Sequence, residues 1–128
     1  MTQITKNFTT SEMKCKCGCD QCDMDEVFME KLQLLREEIG PLKVSSGFRC
    51  SARNQAVSHS GPNGPHTTGK AADIACSGDK ARALMGKAIT LGFTGIGIDQ
   101  KGDHAGRFLH IDTLETQSDR PRPWTWSY

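Results

Sequence analysis

The sequence predicts one domain that mixes helices and strands. Two stretches repeat apolar residues every three or four positions, as helices do. Several short segments alternate apolar and polar residues, or place small residues between turn signals, as strands do. The chain has 128 residues, of which 36% are hydrophobic, and this is enough for one modest core. We therefore expect residues 1–128 to form a single domain.

Two longer helices are predicted from their apolar spacing. The first can begin with a cap at Asp23 or Asp25 and end at Gly40, and its apolar face consists of Phe28, Leu32, Leu35 and Ile39. The second can begin with a cap at Ser77 and end at Gly92, and its apolar stripe consists of Ala81, Leu84, Met85, Ala88 and Leu91. Each helix has one apolar face, so both are expected to pack on the core as scaffold.

Four strands are predicted, over residues 42–46, 70–75, 93–98 and 108–113. Period-two alternation in the last strand puts His110 and Asp112 on one face and turns Leu109 and Ile111 towards the core. Ser51 can cap a short helix between the first two strands. Glycines in the third strand mark places where another group approaches closely.

The C-terminal tail is predicted to add an edge strand. Pro121 and Pro123 disfavour a helix, and the aromatic residues Trp124, Trp126 and Tyr128 alternate. A strand that covers the core is the favoured interpretation, and an aromatic strip that stacks on sugars or on cell wall is the alternative.

The charge balance removes the usual electrostatic argument for some partners. Sixteen Lys and Arg against fifteen Asp and Glu give a net charge of +1, so neither nucleic acid nor an anionic membrane is expected as a partner. The N-terminus lacks the apolar stretch of a secretory signal, and no run approaches the roughly twenty apolar residues of a membrane span. We therefore expect a protein that is made soluble and has no export signal of its own.

Six cysteines are present, and four of them stand in one crowded run: Cys15, Cys17, Cys19 and Cys22. Four sulfurs could bind a structural zinc ion, but the usual zinc site uses two separated pairs. The favoured interpretation is a loop tied by one or two disulfides, reaching Cys50 or Cys76, or a set of free thiols. The lack of an export signal weakens the case for disulfides.

Three other side chains form a candidate metal site. The spacing of His66 and Asp73 does not suit one helix face, so an arrangement that runs from a loop into a strand is expected. Together with His110 they supply two imidazoles and a carboxylate, the ligands of a catalytic zinc ion that keeps a fourth position for water. Arg49 follows a strand end, where binding groups tend to lie.

These residues lie in three segments that together resemble the zinc D-Ala-D-Ala carboxypeptidases, the M15 peptidases. The segments are Ser46-Gly47-Phe48-Arg49, the His-x-x-Gly-x-Ala-x-Asp run from His66 to Asp73, and Phe-Leu-His-Ile-Asp from Phe108 to Asp112. Their order and separations match, and the resemblance extends from about Phe8 to Thr113. It implies an α+β fold in which a small antiparallel sheet carries the zinc site and helices pack behind it, as in these peptidases and in Hedgehog signalling domains.

The resemblance also implies residue roles. His66, Asp73 and His110 match the zinc ligands, and Arg49 matches the arginine that holds the substrate and stabilises the developing oxyanion. Many family members place an acidic general base three residues before the last histidine ligand, and Arg107 stands there in this chain.

Another residue must therefore move the proton, and two candidates stand near His110. Asp112 is favoured, because strand geometry puts it about 6 to 7 Å from His110 on the same face. His104 is the other candidate, since an imidazole exchanges protons near neutral pH. The alternative role for Asp112 is to orient His110 or Arg49.

The implied activity is hydrolysis of D-amino-acid-containing stem peptides of bacterial peptidoglycan by a phage endolysin. Such an enzyme waits in the host cytoplasm until lysis or is carried in the virion. Carboxypeptidase and endopeptidase action both remain open, and a monomer is the default. A zinc-binding module that interacts with the wall without hydrolysis is the alternative, because the acidic residue expected at Arg107 is missing.

Overall fold

The structure is a computed structural model that describes residues 2–128, and a five-stranded sheet is its central element. In spatial order the strands are β3 (Lys43–Ser46), β4 (Ala71–Ala75), β6 (Phe108–Asp112), β5 (Gly95–Asp99) and β7 (Trp124–Ser127). Neighbouring strands are antiparallel except β5 and β7, which are parallel. The α+β fold implied by the resemblance is confirmed, with one parallel edge strand added.

The parallel edge strand follows from where β6 ends. Asp112 at the end of β6 and Trp124 at the start of β7 both pair with Gly95 at the start of β5. The chain after β6 therefore crosses the end of the sheet where β5 begins. It then forms β7 on the side of β5 away from β6 and runs parallel to β5. The predicted edge strand in the tail is confirmed.

The predicted helices are confirmed with small shifts in their bounds. They are α2 (Glu26–Ile39) and α4 (Gly78–Thr90). Asp25 caps α2 by accepting a hydrogen bond of 2.9 Å from the Phe28 amide, and the chain leaves α2 at Gly40, whose φ of 99° suits glycine. The short helix α3 (Ser51–Val57) is capped by the Cys50 side chain, so the expected cap at Ser51 is wrong.

The N-terminal segment contains elements that were not predicted. A hairpin of β1 (Gln3–Thr5) and β2 (Phe8–Thr9) leads directly into the single-turn helix α1 (Thr10–Met13). Such short elements carry too few residues for a periodic signal. Within residues 2–128, no helix combines the length and apolar character needed to cross a membrane.

The core lies between the helices and one face of the sheet. Ile74, Leu109 and Ile111 from the sheet belong to one apolar cluster with Phe28 and Leu84 from the helices. The expected alternation along β6 is confirmed, because Leu109 and Ile111 are buried in this cluster. The opposite face is thus left to the polar residues of the sheet.

Two glycines of β5 make room on that polar face. Gly95 lies opposite Asp112 in the register, and a Cβ atom there would lie 2.3 Å from both carboxylate oxygens of Asp112. Gly97 lies opposite His110, and a Cβ atom there would lie 2.7 Å from Cε2 of the Trp126 ring. The close approach that these glycines predict is confirmed.

The first testable prediction concerns Gly95. Gly95→Ala is expected to lower the free energy of unfolding by about 1 to 3 kcal/mol, because the added methyl group overlaps a buried carboxylate. Gly86→Ala is the matched control: Gly86 is exposed within α4 with open space around it, so alanine is expected to stabilise by about 0.5 to 1 kcal/mol. Denaturant unfolding measures both variants, and an unchanged or increased stability of Gly95→Ala would contradict the packing described.

Candidate metal centre and active site

The three predicted ligands lie together on the polar face of the sheet. Asp73 on β4 lies directly opposite His110 on β6, and His66 reaches them from a 3-10 turn at Pro65–Thr68. Oδ1 of Asp73 lies 3.2 Å from Nε2 of His66 and 3.1 Å from Nδ1 of His110. One ligand atom from each of the three buried residues lies within 4.8 Å of the others.

The second nitrogen of each imidazole is already held by an acceptor. Nδ1 of His66 lies 2.8 Å from the Gly47 carbonyl oxygen, which can only accept, so Nδ1 carries the hydrogen. Nε2 of His110 lies 2.8 Å from Oδ2 of Asp112 and likewise donates. When both rings are neutral, their remaining lone pairs therefore point at Oδ1 of Asp73.

Three acceptor atoms that face one another repel unless a cation lies between them. Zinc bonds of about 2.0 to 2.2 Å in a tetrahedral arrangement separate neighbouring ligand atoms by about 3.4 Å. The distances of 3.1 and 3.2 Å from Asp73 to the two histidines are close to this value. The residues present therefore fit a zinc ion by donor type, tautomer and spacing.

Asp73 is ionised, as a metal ligand must be. Burial by itself raises the pKa of this carboxyl group, but His110 and His66, which donate to it when their rings are protonated, outweigh burial and hold the pKa well below its ordinary value. Oδ2 of Asp73 lies 3.5 Å from Nη2 of Arg49, which adds a permanent positive charge on the other side of the carboxylate.

Arg49 lies at the same site and is held by its neighbours. Its Nε donates to Oγ of Ser46 at 3.1 Å, and its Nη1 donates to Oδ1 of Asn54 at 3.2 Å. Asn54 is fully buried and is itself fixed by a 2.9 Å bond to Oγ of Ser60. A guanidinium has more N–H donors than these contacts and Asp73 use, so Arg49 keeps donors for a substrate.

Asp112 lies behind His110 and away from the cleft. It is fully buried, and it accepts hydrogen bonds from Nε and Nη2 of Arg122 at 3.0 and 2.8 Å and from the Leu114 amide at 3.3 Å, in addition to its contact with His110. Burial opposes its ionisation, but the bonds from His110 and Arg122 lower its pKa to about 2. The preference for Asp112 as general base does not fit this position, whereas the alternative role of orienting His110 does.

His104 also lies outside the cleft. It stands on an exposed 3-10 turn at His104–Gly106 and is not among the residues that line the cleft. The cleft has a volume of about 480 Å³ and is lined by the three ligands and Arg49. Its lining also includes residues that were not predicted as part of this site, among them His59, Trp126 and Tyr128. Neither candidate for proton transfer is therefore brought to the open side of the site.

Two of the cleft residues that were not predicted as part of the site, His59 and Trp126, differ in whether the sequence indicates their position. His59 precedes the glycine- and proline-rich loop that His66 follows, so its position beside the site could have been proposed. Trp126 belongs to β7, and its ring centroid lies 5.1 Å from that of His110. Nothing local indicates that contact, because it depends on β7 returning beside β5.

The second testable prediction concerns Arg122, whose side chain is only 5% exposed. Arg122→Gln is expected to lower the free energy of unfolding by about 3 to 5 kcal/mol, because it leaves the buried charge of Asp112 without its cation. Arg82→Gln, at an exposed position of α4, is the control and is expected to stay within about 0.5 kcal/mol of the parent. Denaturant unfolding at neutral pH compares the two.

The pH dependence of the free energy of unfolding tests whether the pairing of Arg122 with Asp112 causes this difference. The folded-state pKa of Asp112 lies below its ordinary value of 3.8, so its contribution is complete above that value and is lost as the pH falls towards about 2. The stability difference between the parent and Arg122→Gln is therefore expected to narrow over this range. An equal difference at pH 7 and at pH 2 would show that the Arg122 and Asp112 pair does not cause it.

Comparison with known proteins agrees with this site. No curated protein matches the chain significantly, but the profile of the family described as Peptidase M15 matches residues 6–112 of the 128. The match includes Arg49 and the three residues of the candidate metal centre, and it stops before Arg122 and β7. The chain therefore belongs to the peptidase M15 family, whose members are metallopeptidases.

Proposed function

We propose that this protein is a zinc metallopeptidase that hydrolyses D-amino-acid-containing stem peptides of bacterial peptidoglycan, and that it acts as a phage endolysin. The observation that carries the proposal is the convergence of three acceptor atoms, from His66, Asp73 and His110, beside the fixed guanidinium of Arg49 in an open cleft. Such a set suits hydrolysis of an amide, because it combines a metal site with a donor for the carbonyl oxygen.

Each residue of the chain has a distinct part in this proposal. When bound, zinc supplies Lewis acidity that brings the pKa of water towards ~7 and polarises a carbonyl group. The remaining N–H groups of Arg49 stabilise negative charge on the carbonyl oxygen of the scissile bond. Asp112 and the Gly47 carbonyl hold the two imidazoles so that their lone pairs face the metal position.

His59 is the residue that we propose for proton transfer. It lines the cleft, whereas Asp112 is buried behind His110 and His104 lies on an exposed turn elsewhere. An imidazole can accept the proton of the attacking water and return it to the leaving amine as the C–N bond breaks. Tyr128 also lines the cleft, and its phenol, whose pKa is raised by partial burial from an ordinary value of 10.0, is a hydrogen-bond donor at neutral pH.

The choice of substrate is supported by the resemblance to D-Ala-D-Ala peptidases and by the shape of the cleft. Its volume of about 480 Å³ is in the range of roughly 300 to 1,000 Å³ that holds small ligands. Trp126 and Tyr128 give it an aromatic wall, and Arg49 can pair with a carboxylate of the peptide.

The third testable prediction is the activity itself. Purified protein incubated with bacterial peptidoglycan is expected to release new peptide termini, to stop after treatment with a chelator, and to resume when zinc is returned. Mass spectrometry of the released muropeptides identifies the bond, and so decides between carboxypeptidase and endopeptidase action. His66→Ala is the matched inactive control, because it removes one of the three ligands.

A wall-interaction module without hydrolysis is the second candidate, favoured by Arg107 in the position of the usual acid and by the burial of Asp112. It predicts zinc-dependent binding to intact peptidoglycan with no new termini. Absence of both cleavage and bound zinc would contradict both candidates.

The fourth testable prediction separates His59 from His104. His59→Gln is expected to lower kcat by about 100- to 10,000-fold with zinc content unchanged, because it removes the proposed proton carrier. His104→Gln is the matched control: it makes the same change at an exposed histidine outside the cleft and is expected to leave kcat unaltered. Steady-state kinetics on a defined stem peptide, with zinc measured in the same samples, compares the two. The reverse result would assign proton transfer to His104.

A further inference from the structure

A second group of possible metal ligands lies outside the catalytic cleft. Cys15, Cys17 and Cys19 follow α1, and Cys50 lies between β3 and α3, yet one sulfur from each falls within 4.8 Å of the others. We call these four residues the cysteine cluster. Two segments that are distant in sequence thus place their sulfur atoms close together.

The distances within the cysteine cluster match ligands around a common ion. Sγ of Cys15 lies 3.5 Å from that of Cys17 and 3.7 Å from that of Cys50, and the Cys17 and Cys50 sulfurs are 3.6 Å apart. Zinc–sulfur bonds of about 2.3 Å in a tetrahedron separate the sulfurs by about 3.8 Å. A disulfide would require about 2.05 Å, and all six cysteines of residues 2–128 are free thiols.

Backbone amides point at the sulfurs, as they do around metal-bound thiolates. The Cys50 amide donates to Sγ of Cys15 at 3.4 Å, the Arg53 amide donates to Sγ of Cys50 at 3.5 Å, and the Gln21 amide donates to Sγ of Cys19 at 3.5 Å. Donors that hold the ligand atoms from outside fix their orientation and stabilise negative charge on sulfur.

The structure also separates this group from the other two cysteines. Cys22 packs against the apolar core, and Sγ of Cys76 donates to the Ile74 carbonyl at 3.3 Å. The interpretation of Cys15, Cys17, Cys19 and Cys22 as one set is therefore wrong, because Cys50 takes the fourth position. The objection that four ligands in one run are too crowded no longer applies, since the fourth comes from a separate segment.

We propose that Cys15, Cys17, Cys19 and Cys50 bind a structural zinc ion. Binding replaces the thiol protons, which pass to solvent, by four zinc–sulfur bonds with no change in oxidation state. Four protein ligands leave no open position, so this ion holds structure and takes no part in hydrolysis. Soft thiolates in a tetrahedral arrangement favour zinc over calcium or magnesium.

The ion would cross-link the N-terminal segment to the loop that carries Arg49. This loop already contacts that segment, because the Phe48 amide donates to the Met13 carbonyl at 2.7 Å and Nζ of Lys16 donates to the Ser45 carbonyl at 2.7 Å. Cys50 directly follows Arg49, so a ligand bond at Cys50 limits the movement of the arginine that faces the cleft.

The fifth testable prediction is the zinc content of protein prepared under reducing conditions, loaded with zinc and equilibrated with a weak chelator. The parent is expected to hold one zinc ion more than Cys19→Ser, which removes an exposed ligand. Cys22→Ser changes a cysteine of the same segment outside the cluster and is expected to keep the parent content. Equal zinc in the parent and in Cys19→Ser would overturn the proposal.

Cobalt(II) gives a second measurement that does not depend on the folding of a cysteine variant. The full chain loaded with cobalt is expected to show thiolate-to-cobalt charge-transfer absorption, and the double variant His66→Ala, His110→Ala is expected to keep it. This readout is independent of peptidase activity. A protein that shows the band but does not cleave peptidoglycan would contradict the proposed function and still support the cysteine site. Absence of the band in the cobalt-loaded parent would overturn the cysteine site alone.

Discussion

The buried carboxylate of Asp73 is the interaction on which the site depends. A negative charge taken out of water is costly unless it is surrounded by positive charge and hydrogen-bond donors. One oxygen of Asp73 lies between two imidazoles, which donate to it when protonated or share a cation with it when neutral, and the guanidinium of Arg49 lies near the other oxygen. The antiparallel register sets Asp73 opposite His110, so the pairing of β4 with β6 forms the base of the site. His66 and Arg49 reach Asp73 from segments outside this strand pair.

The C-terminal tail completes this arrangement from outside the region that matches the family. Arg122 neutralises Asp112, and Asp112 in turn holds the ring of His110. The same guanidinium lies 5.1 Å from the ring of Trp126, which borders the cleft. A contact chain thus runs from the tail through Asp112 to a candidate metal ligand. The glycines of β5 are part of it, because larger residues would occupy the space of Asp112 and Trp126.

The parts of the fold and of the site that depend on residues close in sequence could be predicted from the sequence. The helical spacing in α2 and α4 and the alternation in β6 depend on neighbours in sequence, and the ligands stand in motifs of fixed spacing. The errors concern groups whose partners are distant. Asp112 was favoured for catalysis because its pairing with Arg122 has no local signal: Arg122 lies just before β7, and the parallel return of β7 beside β5 brings it to Asp112. The sequence offered Cys50 only as a disulfide partner of the cysteine run, and its place in the cysteine cluster has no local signal, since Cys50 is 35 residues from Cys15.

The loop from Ser46 to Cys50 explains why a structural ion would matter to this fold. Successive residues of this loop serve different parts of the site: Ser46 binds the Arg49 side chain, the Gly47 carbonyl holds His66, and Cys50 belongs to the cysteine cluster. Residues 16–21 of the facing segment gain little from the core, because all of them are exposed and regular structure ends with α1. A segment with few buried apolar contacts opens at low cost in free energy. Zinc–sulfur bonds supply the stability that the core does not, and they do so next to the arginine whose position the chemistry requires.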